Sequence, residues 1–206
     1  MLTKDTRKGI DLLMFGVIIC FCSCKHSMNT GKYLGYIHDD KNGLLKAVKL
    51  GDWEFDMQYK PYDYILFSES KGGVGLDKAK RSKELQGTAW FNISFKRIQM
   101  DKSPMRYNIS SQDEYNQRLN YYLNGAPHDI ELVYGTDTLK PMSYLFETNY
   151  NLTPQETMVV GFELPATSTK PEKDMQLVYY DRVFGNGIIK ATYAAKALNN
   201  IPDLIF

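Results

Sequence analysis

The sequence predicts a mainly β fold with one or two helices: an antiparallel β-sandwich or open barrel, with a helix over about residues 111–124 packed on one side or end. Three observations carry this expectation. Trp53, Phe55, Met57 and Tyr59 alternate strictly with Glu54, Asp56, Gln58 and Lys60, the period-2 pattern of a strand with one buried and one wet face. Further short apolar runs recur behind brief Gly-, Asp- and Pro-containing connections, which favours antiparallel pairing over a parallel doubly wound sheet. Aromatic residues make up 13% of the chain and include 15 tyrosines, and such side chains suit half-buried pleated surfaces.

Taken in order, residues 24–43 are polar and without hydrophobic period, and are read as a cysteine followed by a flexible tether. A coil of about 18 residues averages roughly 20–25 Å end to end. His26 and His38 fall in it as solvated linker residues. Residues 44–206 then form a single β-rich globular domain, long enough to bury a core without covalent staples.

Residues 44–50 read as a strand stopped by Gly51 and Asp52, and 53–60 as the strand already described. Pro61 starts a short helix through the apolar cluster 62–67, since proline suits the first helical position. Residues 71–87, with Gly72, Gly73, Gly75 and a charged run, read as a surface loop that lacks the spacing of a phosphate-binding loop. Residues 88–98 resume the sheet with Phe91, Ile93 and Phe95 on one face and Trp90, Asn92, Ser94 and Lys96 on the other.

Ser111 and Glu114 form a capping-box pair ahead of Tyr115, Leu119, Tyr122 and Leu123, whose spacing is helical. Gly125 and Pro127 close that helix. Strands over 130–134 and 138–147 flank a hairpin turn at 135–137. Further strands are expected over 157–164, 175–181 and 188–194, the last two joined at Gly185, Asn186 and Gly187. The apolar end, 198–206, is expected to fold back onto the core.

The first 24 residues follow a different logic. Lys4, Arg7 and Lys8 precede an apolar run over 12–23 that ends in Phe21, Cys22, Ser23 and Cys24. A positive start, a short apolar core and a small residue before the cut make a secretory signal. A run of about a dozen residues falls short of the ~20 needed to span a bilayer. The stretch resembles a bacterial lipoprotein signal, over residues 1–24 only. That resemblance implies cleavage after Ser23, a diacylglycerol on the Cys24 thiol and acylation of the new amino terminus. Phe21 stands where the motif usually has Leu. A plain cleaved signal and an uncleaved anchor are the weaker readings. The resemblance implies a bacterial envelope location, the outer membrane ahead of the inner one, with the domain periplasmic or surface-exposed and membrane lipid as its first partner.

All 3 cysteines lie at or before position 24, so the domain holds no disulfide, thiolate metal site or cysteine nucleophile. Of the 25 cations and 24 anions, the first 23 residues carry Lys4, Arg7, Lys8, Asp5 and Asp11, which leaves a neutral remainder. Nucleic-acid binding, which calls for a clustered basic surface, is not expected.

Catalysis has one histidine candidate, His128 beside Asp129, without a nucleophile elbow to support a triad. One domain histidine and no cysteine argue against zinc. Asp137, Asp174 and Asp181 offer oxygen ligands but lack calcium-loop spacing, and read as turn-stabilising residues. The pattern Asn-x-Ser/Thr at Asn92, Asn108 and Asn151 is taken as chance. Asp137, Thr138 and Leu139 are similar to a bacterial O-glycosylation motif, which nominates Thr138. Trp53, Trp90, Tyr121 and Tyr180 are candidates for an aromatic binding surface. The resulting expectation is a lipid-anchored, non-catalytic binding or assembly component with an envelope protein or glycan partner and no cofactor or metal. An envelope hydrolase acting on glycan or peptide is the alternative, and a glycan- or ligand-binding lipoprotein that uses exposed aromatics is a third reading.

Overall fold

A computed structural model describes residues 27–71, 75, 77–150, 152–165 and 171–205. Its strands are β1 (Ser27–Asn29), β2 (Leu45–Leu50), β3 (Trp53–Lys60), β4 (Thr88–Arg97), β5 (Ile130–Tyr134), β6 (Asp137–Leu139), β7 (Ser143–Glu147), β8 (Gln155–Glu163), β9 (Met175–Asp181), β10 (Gly187–Tyr193) and β11 (Asp203–Ile205). The helices are α1 (Thr30–His38), α2 (Tyr62–Lys71), α3 (Lys78–Leu85), α4 (Gln112–Asn120) and α5 (Ala195–Asn199). The fold is mainly β, with antiparallel sheets and no closed barrel.

One sheet runs β2-β3-β4-β8-β7 and the other β10-β9-β5-β6, every pair antiparallel, while β1 and β11 form a small parallel pair. The two larger sheets face each other across one core. Trp53, Phe55, Met57 and Tyr59 of β3 are buried, and so are Phe91, Ile93 and Phe95 of β4 and Met158, Val160 and Phe162 of β8. Leu177 and Tyr179 of β9 and Ile189, Ala191 and Tyr193 of β10 answer from the opposite sheet. The Tyr193 ring lies 5.2 Å from Phe91, and its hydroxyl donates to the Met57 carbonyl at 2.9 Å, bridging the layers.

The expected strands recur with boundaries shifted by a residue or two, with one exception. The run expected over 138–147 is two strands, because Pro141 cannot donate to a ladder and the chain crosses there from the edge of one sheet to the edge of the other. The helix entered by Pro61 forms as α2. The capping box also forms, with a shifted return contact: Ser111 Oγ accepts from Glu114 N at 3.2 Å, and the Glu114 carboxylate accepts from Ser110 N at 2.8 Å. Beyond α4 the chain widens into a π-turn, Tyr121–Gly125, which inserts Tyr122 between Phe95 and Phe146 with ring separations of 5.1 and 5.0 Å. The helix therefore caps one end of the sandwich, as expected.

Two segments read as irregular are ordered elements. Residues 71–87 hold α3, started by Asp77, whose side chain accepts from Lys80 N at 3.1 Å. Arg81 fixes α3 to α2 by donating to both Glu69 oxygens at 2.8 Å. Residues 27–38, within the expected tether, are ordered too. Ser27–Asn29 pairs with Asp203–Ile205, α1 follows under an Asn29 cap, and Tyr33 and Ile37 are fully inside the core. Leu34 and Tyr36 pack against the same core. Two turns of helix and a three-residue strand are too short to write a period, so the polar residues between them dominated the reading.

Because Ile37 is a core residue, Ile37→Ala should lower unfolding stability by about 2–5 kcal/mol, the usual range for such truncations. Urea unfolding followed by tryptophan fluorescence measures this, and a change within about 0.5 kcal/mol, typical of surface sites, would return the segment to a tether.

Candidate functional site

At the end of the sandwich opposite α4, the closing turns of β3 and the first residues of β4 leave a cavity of about 350 Å³. That lies within the usual range of small-molecule sites, about 300–1,000 Å³. The outer row of the large sheet supplies Lys60 and, directly across from it, Trp90. Pro61, Tyr62, Asp63 and Ile65 come from the start of α2, and Leu85 and Gln86 from the end of α3. Tyr33 of α1, Pro171, Leu198 and Asn199 of α5, and Ile201, Pro202 and Asp203 complete the wall.

Two aromatic rings on this wall are held in place. Trp90 pairs across the ladder with Gly161, and a Cβ at that glycine would lie 2.9 Å from the indole, so only glycine lets the ring lie flat on β8. Trp90 Nε1 donates to Thr88 Oγ1 at 2.9 Å, and Thr88 Oγ1 in turn donates to the Leu85 carbonyl at 2.7 Å. Tyr62 is 37% exposed, and its hydroxyl is bonded to Ser82 of α3.

The polar groups of the lining residues differ in their hydrogen bonding. Asp63 accepts from Leu204 N at 3.1 Å, which ties the C-terminal strand to α2. Asn199 Nδ2 donates to the Pro171 carbonyl at 2.8 Å, which orients the amide, while its Oδ1 is buried without a hydrogen-bond partner. The Tyr33 hydroxyl is likewise buried without a partner. Burial pushes the Tyr33 phenol up, reinforced by Asp63, Tyr59 and Asp203, and burial alone pushes Tyr59 up to about 12. Burial pushes the Lys60 ammonium down against the pull of Glu147 and Glu69.

The four nominated aromatics do not form one surface. Trp90 lines the cavity. Trp53 is buried at the opposite end, stacked on Phe184 at 4.0 Å, and so offers no binding face. Tyr121 is half-buried and donates to Asp129 at 3.0 Å. Tyr180 is exposed on β9, beneath the Arg182 guanidinium at 5.0 Å. Alternation along β3 had placed Trp53 among the inward residues, but only the assembled core separates an inward tryptophan from an outward one.

His128 is exposed, and its neighbour Asp129 is engaged by Arg182 Nε at 2.7 and 2.8 Å as well as by Tyr121. Asp174 and Asp181 lie at opposite ends of β9. Asp174 accepts from Ala195 N at 2.8 Å, and Asp181 accepts from three backbone N–H groups of the following turn. Among the described residues no three metal-ligating side chains converge. Thr138 is exposed on edge strand β6, and Asn92 sits half-buried on the outer face of β4. Ser23, Cys24 and Asn151 lie outside the described residues.

A second buried polar group belongs to the fold. Glu156 accepts from Ser103 Oγ, which also accepts from Met105 N at 3.1 Å, beside a cavity of only about 50 Å³. No protein-family model, characterised protein or solved structure matches this chain.

Burial pushes the Glu156 carboxyl above its ordinary value, against hydrogen bonds from Ser103 and Asn149. A carboxyl raised on folding contributes stability that is fully present below its unfolded pKa and lost as pH rises through the folded one. Glu156→Gln, which keeps an acceptor for Ser103, should therefore raise the urea midpoint relative to wild type at about pH 7, and the gain should shrink towards about pH 4. A gain independent of pH would assign the effect to packing instead.

Proposed function

We propose that this chain is a lipid-anchored protein of the bacterial envelope, tied to lipid through Cys24, whose domain is a non-catalytic binding component with the cavity beside Trp90 as its ligand site. The observation that carries the binding reading is that cavity of about 350 Å³, with Trp90 and Tyr62 among its lining residues. Among its described lining residues there is no histidine, serine or cysteine, which favours binding over nucleophilic hydrolysis. The anchor reading rests on residues 1–24, where an apolar run too short to span a bilayer ends at the last cysteine of the chain.

The two parts fit geometrically. Ser27 pairs with Asp203, which lines the cavity. The three-residue step from Cys24 to Ser27 reaches at most about 11 Å. Acylation at Cys24 would therefore hold the cavity end of the domain near the lipid surface, without the long spacer a tether would give. The β7–β8 connection, with Tyr150 and Leu152 at 81% and 85% exposure, would then point away from the membrane.

Attachment strength follows chain number, since one acyl chain gives only marginal binding and stable anchoring needs more than one. Metabolic labelling with a fatty-acid probe should mark the wild type. Cys24→Ala should lose the label and pass into the soluble fraction on cell fractionation. Membrane retention of an unlabelled wild type would sink the anchor.

A further inference from the structure

The chain after residue 23 is neutral as a whole, yet one segment holds a local surplus of cations. Residues 69–84 carry five cations and three anions. The three anions are used inside the protein. Arg81 donates to Glu69 at 2.8 Å and to Glu84 at 3.1 Å, and the Asp77 carboxylate accepts from Lys80 N at 3.1 Å to start α3. Lys78, Lys80 and Lys83 are exposed, and the Lys80 and Lys83 ammonium groups enter none of the ion pairs among the described residues. These two lysines, three apart, share the outer face of α3. The inner face is spent on the Arg81 to Glu69 pair, the Ser82 bond to Tyr62 and the buried Leu85. A helix that buries one side chain adds little to the core, so what it contributes is its outer face.

The position of α3 says what that face meets. Leu85 and Gln86 line the same cavity as Asp63 and Asp203, Asp63 accepts from Leu204 N, and Ser27 pairs with Asp203. The lysines are therefore joined through α2 to the strand that begins three residues after Cys24. The carboxylates at this end are half-buried, and Asp63 is already bonded. Near an anionic leaflet each lysine strengthens attachment by roughly fivefold. That attraction falls off within about 10 Å at 0.1 M salt, so only cations close to the point of lipid attachment gain from it. One acyl chain alone gives marginal anchoring, and a basic patch is one of the second signals that make it stable. Duplex nucleic acid calls for a broader basic surface than one two-turn helix offers.

We propose that the outer face of α3 docks on the headgroups of anionic phospholipids, with Lys80 and Lys83 as its central contacts and Lys78 beside them. The proposal rests on the anchor reading for the orientation of the domain, and on the charge pattern of α3 for the partner. The acyl group at Cys24 holds the domain at the membrane, and the lysines fix which side of it faces the lipid. The contact is electrostatic and peripheral. The outer face of α3 carries no large apolar side chain to insert, so docking is lost at high salt.

The test uses the purified full chain, whose mass reports acylation, on vesicles of phosphatidylcholine alone or mixed with phosphatidylglycerol. Both carry a phosphatidylcholine with a nitroxide on its headgroup. The domain holds no cysteine, so Ala79→Cys on α3 and Leu152→Cys in the β7–β8 connection each accept a thiol-reactive fluorophore, with the unsubstituted chain as the labelling blank. The nitroxide should quench the label at 79 severalfold more on anionic than on neutral vesicles, and salt should reverse this. The label at 152 should stay unquenched on both. Lys80→Gln with Lys83→Gln should lower the docked-to-undocked ratio roughly 25-fold. The urea midpoint should stay put, because both side chains are exposed. Equal quenching on the two vesicle types, or quenching untouched by the double variant, overturns the docking. An acylated chain that floats with the vesicles yet is never quenched at 79 overturns the docking and keeps the anchor. An unacylated chain quenched at 79 on anionic vesicles alone overturns the anchor and keeps the docking. Loss of the quenching to an equal phosphate concentration of duplex DNA reassigns the face to nucleic acid and overturns the lipid proposal.

Discussion

The register of β4 against its neighbours is the constraint on which both core and cavity depend. Phe91, Ile93 and Phe95 must face the opposite sheet, and side chains alternate with a period of two, so Trp90 must face outward. A slip of one residue would bury Trp90, Asn92 and Lys96 and expose three aromatic or aliphatic side chains. The inward row fixes the register by burying its full apolar area, and the outward row inherits its position at no separate cost. Lys60 and Gly161, the cross-strand partners of Trp90, are placed by the same ladder. The cavity is thus built on the reverse side of the best-determined part of the core.

What closes the cavity comes from the two ends of the described chain. Tyr33 and Ile37 enter the core from α1, and β1 pairs with β11 beside Asp203, while Asp63 accepts from Leu204 N. The strand pair and the Asp63 bond join segments more than 140 residues apart, so they form only when the whole domain has folded. They also leave the Tyr33 hydroxyl and the Asn199 amide oxygen buried and unpaired, an arrangement that costs stability in the free protein. A ligand bound in the cavity would stabilise the fold by mass action, which couples occupancy of the site to closure of the chain ends.

The local signals in the sequence were reliable where the physics is local. The alternation over 53–60, the Pro61 helix start, the Ser111 cap and the Gly185–Gly187 turn each depend on residues within one or two turns of chain, and each appears in the structure. The rest was hidden for identifiable reasons. Helix α1 is two turns long, α3 buries only Leu85 and is held by the Arg81 to Glu69 pair, and β1 and β11 are three residues each. The cavity draws its wall from α1, β3, α2, α3, β4, α5 and the C-terminal segment, so no window of sequence contains it. Trp90 was nominated by residue type, and the same criterion nominated Trp53, which the core absorbs.

The abundance of tyrosine makes the status of Tyr33 informative. Three phenols of the interior find partners: Tyr193 donates to the Met57 carbonyl, Tyr144 to the Tyr122 carbonyl at 2.6 Å, and Tyr134 accepts from Glu172 N at 3.0 Å. The Tyr122 and Tyr179 hydroxyls, like that of Tyr33, are buried without a hydrogen-bond partner. A phenylalanine at position 33 would fill the same space without the cost of an unpaired hydroxyl. Burial raises the cost of any charge on the Tyr33 phenol, and Asp63 and Asp203 add to it. Tyr33, Tyr122 and Tyr179 are thus three core phenols whose rings are held inside at the cost of an unpaired hydroxyl, so ring packing outweighs hydroxyl pairing at all three positions.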